Sequence, residues 1–283
     1  MLLKVIAAIM LLTTAVVAQP QPQHSPPGWP CVAGRAVDPT YAALAERTGG
    51  QLFMFDRSEA GRSLVLMRED RKHEEVVFRA TGTFPAGYHD YKFPVDTTVE
   101  SLLLAISLQC SQAVSIYRPS GAELRASEPG VDDNVYRSGR IVIQSRPEAG
   151  VWRVRLSGAG LFSVVVQARS PISFHSAEFV ELRGRPAHEG YFPLKTPARL
   201  NQPQLLSTRL SAPGGAVVFH MVNATGESLQ QLDLQSSSES GDDREFMGSV
   251  TSGHAIFRVA VEGRDASGFW YQRLYPHLFE LKP

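Results

Sequence analysis

Residues 149–170 read AGVWRVRLSGAGLFSVVVQARS, and their pattern decides the fold class. Over 151–156 the apolar residues recur with a period of two. Val151, Arg153 and Arg155 face one way, and Trp152, Val154 and Leu156 face the other. Successive strand side chains point to opposite faces of a sheet, so Trp152 belongs on the core side. A second apolar run at 161–167 follows SGAG (157–160), which reads as a turn between two strands. A break falls at 169–171.

The same texture extends in both directions. Upstream, strand-like runs lie at 76–83, 88–95, 99–108, 113–117 and 140–144, with turn signals PSG (119–121) and PEAG (147–150) between them. Downstream they lie at 172–182, 204–210, 216–222, 229–234, 245–250, 255–261 and 269–274. SSSESGDD (236–243) reads as a loop, and a turn falls at 263–268. Short strands at spacings of about 8–12 residues argue for sandwiches or barrels, and about seven strands is an immunoglobulin-like count. No fixed-period repeat covers both halves.

The N-terminal part differs. DPTYAALAERTGGQLFMF (38–55) predicts one helix running into one strand. Asp38 is a good N-cap, Pro39 fits the first helical position, and Gly49 and Gly50 end the helix. The strand is 51–55. One helix–strand pair cannot bury both of its apolar faces, so the unit looks like the end of an α/β domain. Tyr41, Leu44, Leu52 and Phe53 are therefore expected to be at least partly buried against the β region or another chain. A second helix is expected over 58–71, with REDRKHEE (68–75) as its solvated exit.

Residues 1–18 carry Lys4, an apolar run from Val5 to Val17 and a small residue at Ala18, the build of a secretory signal peptide. The run is shorter than the roughly 20 residues that span a bilayer, and no other segment is long and apolar enough to cross one. A Pro- and Gln-rich arm follows at 19–37. Lys+Arg and Asp+Glu are equal at 28 each, so no global field attracts nucleic acid or an anionic membrane. Cys31 and Cys110 are the two cysteines. Paired in an oxidising compartment, they would close a loop of about 80 residues and stabilise by roughly 4 kcal/mol. The alternative is a free buried thiol at Cys110 and an unrelated Cys31 in the arm.

The segment order resembles the hemicentins and related extracellular proteins that contain a von Willebrand factor A domain. The residues that carry the resemblance are TYAALAERTGGQLFMF (40–55), FPVDTTVESLLLAISL (93–108), YRPSGAEL (117–124), residues 149–180 and the tail FRVAVEGRDASGFWYQRLYPHLF (257–279). The resemblance implies a mainly β chain: an A-domain remnant (38–71), a galactose-binding-like sandwich (72–170) and an immunoglobulin-like sandwich (171–283). An A domain binds its metal through D-x-S-x-S, with hard oxygen ligands. That string is absent here. The nearest is Asp56-Arg57-Ser58-Glu59-Ala60, which lacks the second hydroxyl, so the metal site does not carry over.

Chemistry-bearing motifs are sparse. G-x-S-x-G, H-E-x-x-H and S-x-x-K are absent, and no cofactor is implied. His89-Asp90 and His188-Glu189 are adjacent on strands and so point apart. The acidic stretches EPGVDDN (128–134) and ESGDD (239–243) read as solvated turns, without the alternation of a calcium loop. Asn223-Ala224-Thr225 is a glycosylation sequon if the source is eukaryotic. Trp29, Tyr88, Tyr91, Tyr136, Trp270 and Tyr271 are aromatics able to stack on sugar C–H groups or to pack in cores. The expected protein is a secreted, non-enzymatic recognition or adhesion module for a protein or glycan at a cell surface or matrix. A structural accessory subunit without a small-molecule ligand is the alternative.

Overall fold

The structure, a computed structural model, describes residues 37–70, 72–185 and 187–283. The signal peptide, all of the arm before Val37, and Trp29 and Cys31 lie outside these residues. The described chain is mainly β with a sandwich-like arrangement of sheets. A helical N-terminal segment precedes β1 (Glu75–Val95), β2 (Ser101–Tyr117), β3 (Val131–Tyr136), β4 (Gly139–Ser145) and β5 (Gly150–Arg169).

In the first sandwich β5 lies between β1 and β2 and pairs antiparallel with both along nearly its whole length. β4 and then β3 continue the sheet beyond β2. These long strands fold over. The rings of Phe78 and Phe93, both on β1, lie 5.9 Å apart, where 15 residues of straight strand would separate them by about 50 Å. One bent sheet therefore supplies both layers around Trp152, Leu104, Ile106, Val154 and Val164.

Bulges make the bend. The register shifts between Phe84 and Gly87 on β1, and between Leu108 and Cys110 on β2. SGAG (157–160) is thus not the expected turn but the bend of a single strand. A Cβ at Gly158 would sit 2.2 Å from the Cys110 carbonyl oxygen, so only glycine lets β2 approach there. The neighbouring expected strands likewise merge into β1 and β2.

Helix α1 (Pro39–Thr48) starts as expected, with Asp38 Oδ1 accepting the Thr40 N–H at 2.9 Å, and ends at Gly49 in the left-handed conformation. The expected strand at 51–55 does not form. Leu52, Phe53 and Met54 are all buried, but the backbone joins no ladder. The segment crosses the outer face of the bent sheet over β2 and β5, whose edges are already paired. Phe53 packs with Leu103, Ala105, Ile141 and Tyr136, and Leu52 and Met54 pack with Ala42, Ala45 and Leu161. Tyr41 is half-buried, whereas Leu44 is exposed, contrary to expectation.

The second helix divides into a 3-10 turn at Arg57–Ser63 and α2 (Leu64–Asp70). Its charged exit is only partly solvated, with Arg68, Lys72 and Glu74 exposed. Glu69 and His73 are both buried, with Glu69 taking Arg68 at 2.8 Å and Lys72 at 3.0 Å.

The second sandwich contains β6 (Ser173–Arg185), β7 (His188–Pro193), β8 (Gln204–Ser211), β9 (Val217–Val222), β10 (Ser228–Leu232), β11 (Gln235–Ser240), β12 (Asp243–Val250), β13 (Ile256–Arg264), β14 (Trp270–Leu274) and β15 (Phe279–Glu280). One layer has the order β11-β12-β8-β6-β7. The other is β10-β9-β13-β14, which runs on into β1 through Val76 and Leu274. Phe219, Met221, Phe257 and Val259 meet Phe174, Leu206, Leu210 and Phe246 in its core. The two cores share no residue, and the change falls between Ala168 and Ile172.

Buried charges close the junctions. Glu46 of α1 meets Arg79 of β1 at 2.9 Å and Arg258 of β13 at 2.5 Å, tying helix and both sandwiches together. Arg273 of β14 reaches Asp96 at 2.8 Å with both side chains fully buried, and also donates to Ser170 Oγ and the Ile172 carbonyl.

Candidate functional site

The outer face of the first sandwich gathers polar and aromatic side chains from three adjacent strands. Tyr88, Asp90 and Lys92 alternate outward on β1, opposite Ser157, Arg155 and Arg153 on β5. The β2 partners of those three are Ala113, Ser115 and Tyr117. The period-two pattern forces this arrangement, since Tyr91 and Phe93 point inward on β1 while Trp152 and Val154 do so on β5. The result is an open groove of about 420 Å³, floored by Ser115 and Ser157 and flanked by Tyr88, Tyr117, Gln112 and Arg155.

Its charges are organised around Asp90. Arg155 donates two parallel bonds to that carboxylate, both 2.7 Å long, while Arg153 lies 3.7 Å away and covers the Tyr117 ring at 4.2 Å. The Arg155 hydrogen bonds hold Asp90 below the usual carboxylate range, against partial burial, and the charges of Arg155, Arg153 and Lys92 add to the effect. Asp90 in turn raises the Arg155 guanidinium above its ordinary value. Tyr88 is 72% exposed. A flat aromatic face beside amide, hydroxyl and guanidinium groups suits a polyhydroxylated ring with an attached anion.

Of the other aromatics, Tyr91 packs on Phe78 and Phe162, and burial pushes its hydroxyl pKa up. Tyr136 is buried edge-on to Phe53, and Tyr271 is fully buried. Trp270 is exposed but lies under Arg264 at 4.2 Å, far along the second sandwich. His89 stacks on Phe84 on the side opposite Asp90, and His188 and Glu189 are exposed at the edge strand β7.

Both acidic stretches hold the expected turn, at 129–130 and 241–242, but run on into strands. Residues 131–136 form β3, with Asp133 bound to Arg140 at 2.7 Å. SSSESGDD is mostly β11 and its hairpin to β12, with Glu239 paired to Arg244 and Asp243 to Arg209. Backbone pairing and arginine partners take up these carboxylates, and among the described residues no cluster fit for a metal occurs. Asp56-Arg57-Ser58-Glu59 forms a helix capping box, with Asp56 Oδ1 accepting from Ser58 and Glu59 Oε2 accepting the Asp56 N–H. Asn223 closes the β9–β10 turn, its Oδ1 accepting from Thr225 and Glu227. The pairing of Cys110 rests on Cys31, outside the described residues.

Sequence reasoning named Tyr88 among the candidate aromatics and placed Arg153 and Arg155 on an outward face without a role, and it missed Gln112, Ser115 and Tyr117 as candidates. Ser115 and Tyr117 share a face by alternation, yet only the strand order β1-β5-β2 brings them beside Tyr88.

Residues 77–171 match the family described as hemicentin galactose-binding domain-like. Mouse Hemicentin-1 is 23% identical over 248 residues, which cover 83% of this chain and 4% of that protein. Human Hemicentin-1 is 24% identical over 204 residues, covering 69% and 3%. The chain thus spans a few hundredths of the length of these relatives. A solved DUF4785 family protein from Legionella pneumophila overlaps 82% of this chain and 69% of its own, at 11% identity and a TM-score of 0.36. Within the described residues no helix is long and apolar enough to cross a membrane. Residues 77–171, which carry the face of Tyr88 and Arg155, are thus the part of the chain that is similar to the hemicentin galactose-binding-like domain.

Proposed function

We propose that the chain is a secreted, non-enzymatic recognition module of adhesion type that binds a glycan on the outer face of its first sandwich. The observation that carries this reading is the exposed Tyr88 ring over a groove lined by Gln112, Ser115 and Arg155. Hemicentin-like homology over residues 77–171 supports the extracellular setting.

The division into 72–170 and 171–283 belongs to the same proposal, with the second part immunoglobulin-like. Its strand order supports this. Named in chain order, β6, β8, β9, β11, β12, β13 and β14 stand as A, B, C, D, E, F and G, giving layers A-B-E-D and C-F-G, with β10 added beside C. The helical segment 38–71, read as an A-domain remnant, serves as a packed cover of the first sandwich. Cys31–Cys110 pairing is proposed as well, and peptide mapping without reductant checks it.

A glycan array probed with the full exported chain tests the main reading. Wild type is expected to bind, and Tyr88→Ala to lose at least tenfold of that binding. The accessory-subunit reading is favoured by one feature, the exposed Leu182, Tyr191 and Phe192 on the β6–β7 edge hairpin. Absence of glycan binding together with one stoichiometric protein partner in a pull-down would replace the first reading with the second.

A further inference from the structure

The proposed glycan face is not electrically neutral. Three cations, Lys92, Arg153 and Arg155, share it with the carboxylate of Asp90, and Glu123 lies at its margin, bridged to Tyr117. This local excess stands out in a chain whose formal charges cancel. Lys92 sits directly across from Arg153, and Arg153 and Arg155 are two residues apart on the same face of β5. Arg153 and Arg155 thus lie about 7 Å apart along β5, with Lys92 beside Arg153 on β1, as a short basic row. The row runs beside the groove that Tyr88 and Tyr117 bound.

We propose that the ligand is an acidic glycan, a pyranose chain bearing carboxylate or sulfate groups, and that Asp90 is an internal competitor for its anions. This rests on the glycan reading above. A guanidinium binds carboxylate and sulfate oxygens in the same two-pronged geometry that Arg155 now offers Asp90. Arg155 and Asp90 are both only partly covered, so water and salt already weaken their pairing and an incoming anion exchanges for it at little cost. Tyr88 supplies a sugar-ring contact that a bare phosphate would not use. An open groove on a sheet face admits a chain laid along it, so binding does not require a chain end.

Calorimetric titration of the full chain tests this with three probes: an oligogalacturonate, the same oligomer methyl-esterified, and a heparin-derived octasaccharide. Binding of at least one acidic probe is expected, falling tenfold or more in the ester and weakening steeply between 50 and 200 mM salt (about these values, the Debye length shortening accordingly). Arg155→Ala should reduce acidic-probe affinity about tenfold, and Asp90→Asn should raise it severalfold, while thermal melts confirm that each variant folds. Preference for the galacturonate or for heparin distinguishes carboxylate from sulfate.

Equal binding of ester and acid, or weaker acidic-probe binding by Asp90→Asn, would overturn the acidic assignment and leave the glycan reading standing. No binding of any probe, combined with a blank glycan array, would overturn both. The salt dependence of the unmodified chain decides the matter even if a variant fails to fold.

Discussion

Glu46 has an unusual position for a surface-helix glutamate. It is buried between Arg79 and Arg258, and Arg258 also donates to the Glu46 carbonyl at 2.9 Å. Burial alone would raise its pKa, but the two guanidinium charges outweigh that and lower it from the ordinary 4.5. The stability it contributes is therefore fully present above about pH 4.5 and is lost as pH falls through its depressed folded value. Glu46→Gln leaves two guanidiniums without a counter-charge and should cost about 3–5 kcal/mol, read as a fall in the urea midpoint at pH 7. His73 acts in a higher window. Burial holds it below its ordinary 6.5, with Nδ1 at 2.8 Å from the Glu69 carbonyl and Nε2 at 2.8 Å from Ser101 Oγ. The unfolded chain takes up its proton first, so destabilisation should begin as pH drops below 6.5. Urea titrations from pH 8 to 5 on wild type and His73→Gln check this, and equal slopes in both would remove the histidine from the account. Neither role was legible in the sequence, where Glu46 belongs to a polar helix face and His73 to a charged run.

At the scale of elements, α1 was legible because its caps are local: Asp38, Pro39 and Gly49 act on bonds within one or two turns. The stretch 51–55 was not, because a short apolar run has the same composition whether it pairs as a strand or lies flat on one. Here all three of Leu52, Phe53 and Met54 find apolar cover, which an alternating strand at a surface would not allow. Phe53→Ala should cost about 3–5 kcal/mol, measured by chemical denaturation, as it empties the space among Leu103, Ile141 and Tyr136. A cost below about 1 kcal/mol would mean that the segment is a detachable arm. The bend of β5 shows a related ambiguity. Paired glycines have one spelling for a turn and for a bulge, and only the proximity of the Cys110 carbonyl to Gly158 separates them. β11 was missed because all six of its residues are exposed, so no alternation marks it.

Across the whole molecule, the sandwiches are joined by more than a linker. Glu75 accepts the Ser173 hydroxyl at 2.6 Å and the Phe174 N–H at 3.1 Å, and Thr97 donates its N–H to Asp265 at 2.7 Å. The Thr81 N–H reaches the Ala224 carbonyl at 2.7 Å, which seats the Asn223 turn against β1. With Arg273 and Asp96 wholly buried between these contacts, calorimetry should show one cooperative transition for both sandwiches. Asp96→Asn should lower that transition and divide it in two, since the Arg273 charge then lacks its counter-ion. Two transitions in the wild-type chain would show instead that the halves unfold independently.

The sequence by itself determined the β character, the inward Trp152 face and the capped α1. Each of these follows from neighbours within a few residues, through side-chain period, capping chemistry or turn composition. Tertiary structure alone decided that β1 and β5 bend into both layers of a sandwich and that residues 51–55 lie across a sheet instead of joining it. It alone also set Glu46 between two arginines, and Tyr88, Arg155 and Tyr117 on one face. Those outcomes depend on which distant strands pair and in what register, and nothing local in the chain encodes that choice.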